Sequence, residues 1–319
     1  MHHITATFRI VTPLFLGGAE PTSQAELRVP SIKGALRFWW RALMWAKIAN
    51  IAELHRQEAD LFGSSDVGQS RFLMRLNIAV TETNTMKDEY WPPASWQRYS
   101  GYGLRDKEEG GTKLERCFLK PGRDFTVHLN LRRCSVEQVS QVVAAIKVIG
   151  LLGGLGSRSR KGWGSLTLTK LEGADWDCPA TADTWVTAMN SLVTGSAAPS
   201  LPYTAFSNGA RWNCGPIKNN ADAAQQWLAQ KYQERVKSTD PKAVRAQFGL
   251  PREFKKGTAP RRERRASPLL LHIHQCPNGQ ALPAAIWLPA AFLPNEAMPG
   301  GGDSALQFVE SLSSTQSPA

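Results

Sequence analysis

The stretch Gly150-Leu-Leu-Gly-Gly-Leu-Gly-Ser-Arg-Ser-Arg-Lys-Gly-Trp-Gly164 is the most informative part of the sequence, because it joins a helical pattern to a strand pattern through closely spaced glycines. Glycines reach positive φ and let another backbone approach closely. Two serines and three cations lie between the two Gly-x-Gly pairs, and these groups suit phosphates. The stretch lacks the GK[ST] ending of a P-loop and the strand-to-helix order of a dinucleotide fingerprint. It predicts a phosphate-binding loop, and a tight structural turn is the alternative.

The segments around this stretch give the first half of the chain the order β-α-β-β-α-β. The alternation typical of strands covers 4–10, 72–80, 125–132 and 166–168, and helical spacing follows Pro30 and Ser135. Ser31 is the expected N-cap of the first helix, and Ser135 with Gln138 fits a capping box at the second. The order predicts an α+β fold with a ferredoxin-like, or RNA-recognition-motif-like, sheet backed by two helices.

The first helix carries a basic stripe, defined as Lys33, Arg37 and Arg41. Residues four apart lie on one helix face, so these three cations share a side while Trp40 borders them. Three like charges repel one another, and a bound phosphate backbone would relieve that repulsion. The stripe therefore predicts contact with a nucleic-acid backbone, with a solvated charged face as the alternative.

A long insertion, 82–124, separates the second and third strands. Its tyrosines, tryptophans and basic residues alternate, and they are Tyr90, Trp91, Trp96, Arg98, Tyr99, Tyr102, Arg105, Lys107, Lys113, Arg116 and Lys120. Aromatic rings that stack on bases, beside cations that hold phosphates, are typical of single-strand binding. The insertion predicts a second RNA contact, and a small aromatic cluster of its own is the alternative.

The second half predicts a similar but shorter unit. Helices are expected over 182–193 and 222–237, strands over 269–273 and 284–288, and a last helix capped by Asp303, with a linker over 194–202. These elements fit a second β-α-β-β-α unit without a final strand. We expect two tandem ferredoxin-like domains, 1–172 and 173–319, the first holding the Gly-rich loop and the insertion.

Composition and charge limit the classes of protein. The chain has 319 residues, a formal charge of +11 and 42% hydrophobic residues, which excludes a mainly disordered chain. Neither a bilayer-spanning run nor a secretory leader is expected. Five dispersed cysteines without a CxxC pair argue against a disulfide scaffold or structural zinc and favour a reducing cytoplasm. A basic protein of this kind most simply meets a polyanion.

Most of the positive charge lies in residues 1–172 and in the segment Arg252–Arg265. That segment follows Phe248-Gly-Leu-Pro251 and ends at Arg265-Ala-Ser-Pro268. A cluster of this kind is typical of a binding surface, although a solvated loop is the alternative.

Together these motifs resemble a known family. The Gly154–Gly164 loop resembles the Gly-rich loop of the RAMP superfamily of CRISPR proteins, whose members are built from ferredoxin-like domains. Pro30-Ser-Ile-Lys-Gly-x-Leu-Arg-x-Trp-Trp-Arg41, Leu61-Phe-Gly-Ser64 and Arg265-Ala-Ser-Pro268 resemble the family of first subunits of the Cmr complex, the type III-B effector. The weak final strand of the second unit departs from the family pattern.

The resemblance implies an RNA-binding subunit that contacts guide RNA near its 3′ end, target RNA and neighbouring RAMP subunits of the Cmr complex in antiviral defence. It also implies that the cleaving residues belong to another subunit. The predicted RNA-binding residues are Lys33, Arg37, Trp40, Arg41, Gly154, Gly156, Ser157, Arg158, Arg160, Lys161, Gly162, Gly164, Arg262, Arg264 and Arg265.

Catalytic residues, metal ligands and cofactors are not expected. His128 falls on the polar face of the third strand as a conceivable general base, but it has no evident partner. His272, His274 and Cys276 share a strand face without a fourth ligand for a metal. We therefore expect a non-catalytic subunit. A guide-RNA-processing endoribonuclease of the same superfamily and a stand-alone single-strand RNA chaperone are the alternatives.

Overall fold

The chain folds into two antiparallel sheets with helices packed between and behind them. The computed structural model describes residues 1–18, 24–78, 95–104, 116–193, 204–240, 242–249, 265–292, 300 and 302–312. This is the α+β class that the sequence predicts. Among the described helices, none combines the length and hydropathy of a bilayer span.

The first sheet is built from the first half of the chain. Its strands are β1 (His2–Ile10), β2 (Phe72–Ile78), β3 (Asp124–Leu131) and β4 (Leu166–Glu172), in the spatial order β2-β3-β1-β4. All pairs are antiparallel. Alternate residues of β1 and β3 are buried, which confirms the predicted one-sided alternation. The helices of this half are α1 (Val29–Ile48), α2 (Ile51–Phe62), α3 (Trp96–Ser100) and α4 (Val136–Leu152).

Local signals at the helix ends explain what the sequence predicted and what it missed. The capping box of Ser135 and Gln138 forms at the start of α4, as predicted. The prediction of Ser31 as an N-cap is wrong, because α1 already begins at Val29 and places Pro30 in its first turn. Helix α2 was not predicted, although the side chain of Asn50 caps it by accepting from the backbone N–H of Glu53.

The second half repeats part of the first. Its elements are α5 (Ala182–Leu192), β5 (Arg211–Cys214), α6 (Ala221–Ser238), a short 3-10 helix (Lys242–Phe248), β6 (Leu269–Gln275), β7 (Ala281–Trp287) and α7 (Ser304–Ser311). The order β5-β7-β6 places first, third and second strands side by side, as β1, β3 and β2 are placed. No fourth strand joins this sheet within the described residues. The predicted linker, 194–202, lies outside them.

The core runs across the boundary predicted between residues 172 and 173. One face of β6 and β7, including Leu270 and Leu282, packs into the same cluster as Ile149 of α4. The opposite face, including Leu271, packs against α6 and α7. Elements of both halves therefore cover β6. The Gly-rich loop follows α4 and lies at the seam between the two halves.

Candidate nucleic-acid interface

The Gly-rich loop is bonded to the segment that follows β1. The N–H of Ser157 donates to the carbonyl of Phe15 at 2.8 Å, and the N–H of Gly164 donates to the carbonyl of Pro13 at 3.0 Å. The hydroxyl of Thr12 donates to the carbonyl of Gly162 at 2.9 Å. These bonds fix the path of the loop before any ligand arrives.

Two of the loop glycines are required by the packing of the chain itself. Gly156 and Gly164 have φ values of +79° and +61°. A Cβ would overlap the carbonyl oxygen of Phe15 at Gly156 and that of Leu155 at Gly164. A Cβ at Gly154 would lie 2.8 Å from the carbonyl oxygen of Gly164. The interpretation that these glycines open space for a ligand backbone is therefore corrected, because the chain's own backbone already fills that space.

The cations of the loop point into the seam between the halves. Arg160 donates through Nη1 to the carbonyl of Ser267 at 2.6 Å, and its guanidinium lies 5.1 Å from the ring centre of Phe38. Burial, with the nearby charge of Arg265, lowers the pKa of Arg160 to about 10. Arg160 stays charged at neutral pH and holds the loop against the strand entry at Ser267.

Arg265 reaches the same place from the second half. Only 8% of the residue is exposed, and its Nη1 donates to the carbonyl of Gln247 at 3.0 Å. Its guanidinium lies 5.1 Å from the ring centre of Phe292, and burial lowers its pKa. Lys161 donates to the hydroxyl of Tyr232 at 2.5 Å. Cations from both halves therefore lie close together beside the Gly-rich loop.

We call the resulting depression the loop cleft. Its volume is about 640 Å³, and it is lined by Tyr99, Ser100, Tyr102, Arg158, Ser159, Arg160, Lys161, Tyr232, Phe248, Gly249, Arg265, Ala266 and Ser267. The titratable groups of this lining are four cations and three tyrosines. Such a lining provides positive charge, hydroxyl donors and ring faces, which are the groups that bind single-stranded nucleic acid.

The rim of the cleft is formed by Arg158 and by Tyr102, which lies midway along the insertion. Arg158 is exposed and holds a φ of +62°, which is uncommon for a residue with a side chain. Its Nη2 lies where a Cβ on Gly103 would be only 3.0 Å away, so the guanidinium lies beside the neighbouring Tyr102. Partial burial lowers the pKa of Arg158, with the charge of Arg116 acting in the same direction.

The described part of the insertion 82–124 is divided between core and rim. Trp96 is buried and stacks on Trp163 of the loop, with ring centres 6.0 Å apart, and the indole of Trp163 donates to Ser100 at 3.2 Å. For Trp96 the aromatic-cluster alternative therefore holds. Tyr102, by contrast, is 73% exposed. The predicted contacts at Tyr90, Trp91, Arg105, Lys107 and Lys113 lie outside the described residues.

The basic stripe of α1 faces α2 rather than the loop cleft. Arg37 donates to Glu58 at 2.8 Å, and Arg41 donates to both oxygens of the same carboxylate at 2.8 Å. Burial raises the pKa of Glu58, but the hydrogen bonds from Arg41 and Arg37 outweigh it and hold that pKa below its usual value. Lys33 lies 5.6 Å from the ring centre of Phe72, and its pKa is lowered by burial.

Glu58 thus supplies a counter-charge for Arg37 and Arg41 inside the fold, while the charge of Arg37 still helps burial to lower the pKa of Lys33. The sequence predicted a phosphate for this role, and spacing along α1 alone contained no signal of a carboxylate from the next helix. RNA contact by Lys33, Arg37 and Arg41 is untested, and the structure leads us to expect Glu58 rather than a phosphate as the partner of Arg37 and Arg41.

Trp40 is withdrawn from the predicted RNA-binding set. Its exposure is 0%, its indole N–H donates to Gln141 of α4 at 3.0 Å, and its ring meets Phe62 edge-on. A different face of α1 lies near the loop, since Phe38 and Trp39 line a small cavity with Gly154.

The third predicted segment contributes one described residue. Arg265 lies in the loop cleft, whereas Arg262 and Arg264 lie outside the described residues. Sequence reasoning missed Tyr232 of α6. Its spacing of four from Leu228 and Val236 is that of a core-facing helix position, so no local signal distinguished it.

The histidines lie away from the cleft. His272 and His274 are completely buried, and burial lowers their pKa values to about 3 and about 4. His274 donates through Nε2 to the carbonyl of Pro179 at 2.9 Å. Nδ1 of His128 lies 3.3 Å from the hydroxyl of Thr5 on the open face of the first sheet. Among the described residues, no group of three potential ligands suits a metal ion.

Comparison with known proteins identifies the family of the chain. Residues 7–167 match the family model of the RAMP superfamily. The CRISPR system Cmr subunit Cmr1-2 of Pyrococcus furiosus is 28% identical over an alignment of 187 residues that covers 54% of this chain and 97% of that protein.

Solved structures share the fold over nearly the whole chain. The apo crystal structure of Cmr1 from Pyrococcus furiosus gives a TM-score of 0.64 at 21% identity and covers 98% of this chain and 97% of that chain. A chain of the type III-B Cmr-beta complex bound to cognate target RNA gives a TM-score of 0.62 at 12% identity, covering 90% and 94% of the two chains.

Proposed function

The chain belongs to the RAMP superfamily, and from that premise we propose that it is an RNA-binding subunit of a type III-B CRISPR effector, the Cmr complex. The loop cleft is the observation that carries this proposal. Its cations come from both halves of the chain and stand beside tyrosines and serines. Similarity to a Cmr subunit of Pyrococcus furiosus supports the choice of complex within the superfamily.

The partners we propose are guide RNA near its 3′ end, target RNA and neighbouring RAMP subunits. A Cmr complex with the same fold in one of its chains is described as bound to cognate target RNA, which supports the target-RNA part. The repeated β-α-β-β-α order of the two halves supports a description as tandem ferredoxin-like units, the second without a fourth strand. Such an assembly would act in antiviral defence in the cytoplasm.

We propose that the subunit binds RNA without cleaving it. The titratable groups that line the loop cleft are arginines, a lysine and tyrosines, which hold phosphates well. Metal-independent RNA cleavage requires a general base near the attacking 2′-hydroxyl. His272 and His274 lie in the core and stay neutral at physiological pH, so they support the fold instead.

An endoribonuclease is the second candidate, favoured by one observation. His128 contacts Thr5 on the open face of the first sheet, and Arg75 is its cross-strand neighbour on β2. An imidazole beside a cation on an open surface is a conceivable site for RNA cleavage. A single-turnover assay of the purified chain on repeat RNA, with and without divalent metal, separates the two candidates. Cleavage that His128→Ala abolishes would replace the binding proposal.

The binding proposal is tested in the assembled complex. The chain is reconstituted with guide RNA and the other subunits of a type III-B complex, and ultraviolet crosslinking to guide and target RNA is mapped by mass spectrometry. We expect crosslinks at the loop cleft, with the exposed Tyr102 as the main site. A chain that stays outside the complex, or crosslinks confined to the open face of the first sheet, would contradict the proposal.

A further inference from the structure

The groups that surround the loop cleft divide into those with partners inside the protein and those that face outward. Arg265 is buried and Arg160 is half-buried, and both donate to backbone carbonyls. Tyr232 packs edge-on against Phe248 at 5.8 Å. These residues form the floor, and their hydrogen bonds and ring contacts are already used by the fold.

The rim presents an aromatic ring to solvent. Tyr102 is 73% exposed, and it is the one aromatic residue among the strongly exposed large hydrophobic residues that the structure describes. An exposed ring on the rim of a cationic cleft has a free face on which another ring can stack. Every nucleobase has such a π-face.

Arg158 stands beside this ring, and Arg116 lies near enough to Arg158 for the two positive charges to act on each other. Nη2 of Arg158 lies against Gly103, next to Tyr102, and Nη1 of Arg116 donates to the hydroxyl of Ser157 at 2.8 Å. Within the described part of the chain, no carboxylate lies at salt-bridge distance from Arg158. Two neighbouring guanidinium groups repel, and an anion placed between them removes that repulsion. A phosphodiester is an anion of suitable geometry for arginine.

The size of the cleft restricts what enters it. A volume of about 640 Å³ lies within the roughly 300–1,000 Å³ that is usual for a site holding one small organic ligand. A duplex keeps its bases stacked inside and does not offer one to such a depression. A single strand can turn one base outward and stack it on an aromatic side chain.

We propose that the loop cleft takes one unstacked nucleotide of single-stranded RNA, with its base on the ring of Tyr102 and its phosphate between Arg158 and Arg116. This inference rests on the proposed function, because it specifies how RNA is held at the same site. In this arrangement the rim is selective for single-stranded RNA, and the floor residues hold the two halves of the chain together.

The experiment compares two strands that differ only in their bases. Binding of the full chain is measured by fluorescence anisotropy with an oligouridine of about twelve nucleotides, and with an oligomer of the same length that has the same phosphodiester backbone without bases. We expect the base-bearing strand to bind about tenfold more tightly, as the loss of one base–aromatic stack predicts.

Variants of rim residues test whether the rim causes the difference in affinity between the two strands. Tyr102→Ala should remove the preference for bases, and Tyr102→Phe should restore it because the ring is kept. Arg158→Ala should weaken the binding of both strands by the same factor, because it holds the phosphate. Leu73→Ala, at an exposed position on β2, serves as a surface control and should change neither affinity.

The outcomes of this experiment distinguish failure of the inference from failure of the proposed RNA-binding function. Equal binding of the two strands by the wild-type chain would overturn the inference while leaving RNA binding intact. A preference that survives in Tyr102→Ala would also overturn it, because the base would then stack elsewhere. If the wild-type chain binds neither strand, the proposed RNA-binding function fails together with the inference.

Discussion

The Gly-rich loop and the basic stripe of α1 each carry three cations within nine residues, yet the fold uses them differently. In α1, Arg37 and Arg41 both donate to Glu58, a carboxylate that is only 4% exposed. In the loop, Arg158, Arg160 and Lys161 line a cleft together with Arg265 from the other half of the chain. Two cations of the first set share one carboxylate within one half, and the second set accumulates charge where the two halves meet.

The difference shows that a basic stripe does not identify its own partner. Spacing by four places like charges on one helix face, and their repulsion requires a counter-charge. Either an external phosphate or an internal carboxylate can supply it, and only the tertiary structure distinguishes the two. For the loop, the second half of the chain adds a further cation, Arg265, and we propose that a bound ligand supplies the counter-charge.

The largest effect should come from the glycines that the loop needs for its own packing. Gly164→Ala places a Cβ on the carbonyl of Leu155 at a positive φ and should destabilise the fold by about 3 kcal/mol or more. Gly162→Ala has the matched positive φ, but its Cβ meets nothing nearer than Leu271 at 3.8 Å, so about 1 kcal/mol is expected.

Urea unfolding of both glycine variants measures this difference. Equal stability losses would mean that the close contact to Leu155 does not restrict the loop, and the loop would then have to be considered an open ligand-binding turn.

Acid should weaken the seam beneath the loop. The folded-state pKa values of His272 and His274, about 3 and about 4, lie below the ordinary value near 6.5. The unfolded chain therefore binds protons first as the pH falls below about 6.5, and stability is lost from that pH down to about 4 for His274 and about 3 for His272. At pH 5 the loss should be about 2 kcal/mol for each histidine.

The variants His272→Leu and His274→Leu, measured by thermal unfolding from pH 7 to pH 5, check the source of this dependence. Each should flatten the decrease in melting temperature relative to the wild-type chain. An unchanged pH dependence in both variants would show that other groups cause the acid sensitivity.

Removing one arginine of the stripe should reduce the stability of the fold without changing the affinity for RNA. Arg41→Ala takes two hydrogen bonds from the buried Glu58 and should cost about 1–3 kcal/mol. Arg41→Lys should recover only part of that loss, because an ammonium cannot reproduce the two-bond geometry. Arg56→Ala, which breaks the exposed pair with Glu53, is the control and should leave the melting temperature unchanged.

A large drop in RNA affinity for Arg41→Ala, with an unchanged melting temperature, would reverse the roles assigned to the stripe and the loop.

Much of the fold could be predicted from local sequence signals. The alternation of β1 and β3, the capping box at Ser135 and the cap at Asp303 all form as expected, because each depends on residues close together in the chain. The start of α1 was wrong because Arg28 precedes the helix without any capping side chain. For the shorter second sheet, periodicity predicted the order of the helices and strands but not which strands pair.

The candidate site was harder to predict, because its contacts are distant in sequence. Arg160 and Arg265 were both identified from their motifs, but their meeting with Tyr232 requires packing of the two halves. Trp40 was misassigned, since helical spacing placed it beside the cations while tertiary packing buries it against Gln141. Glu58 lies in a helix that was not predicted, so its pairing with the stripe could not be inferred.

The salt dependence of RNA binding tests the central comparison most directly. Affinity for a single-stranded RNA is measured over a range of salt concentrations for the wild-type chain, Arg158→Ala and Arg41→Ala. Arg158→Ala should keep its stability within about 0.5 kcal/mol while the slope of log affinity against log salt falls by about 0.7, the value for one lost phosphate contact. Arg41→Ala should keep the wild-type slope. A reduced slope for Arg41→Ala with an unchanged slope for Arg158→Ala would contradict the assignment of RNA to the loop cleft.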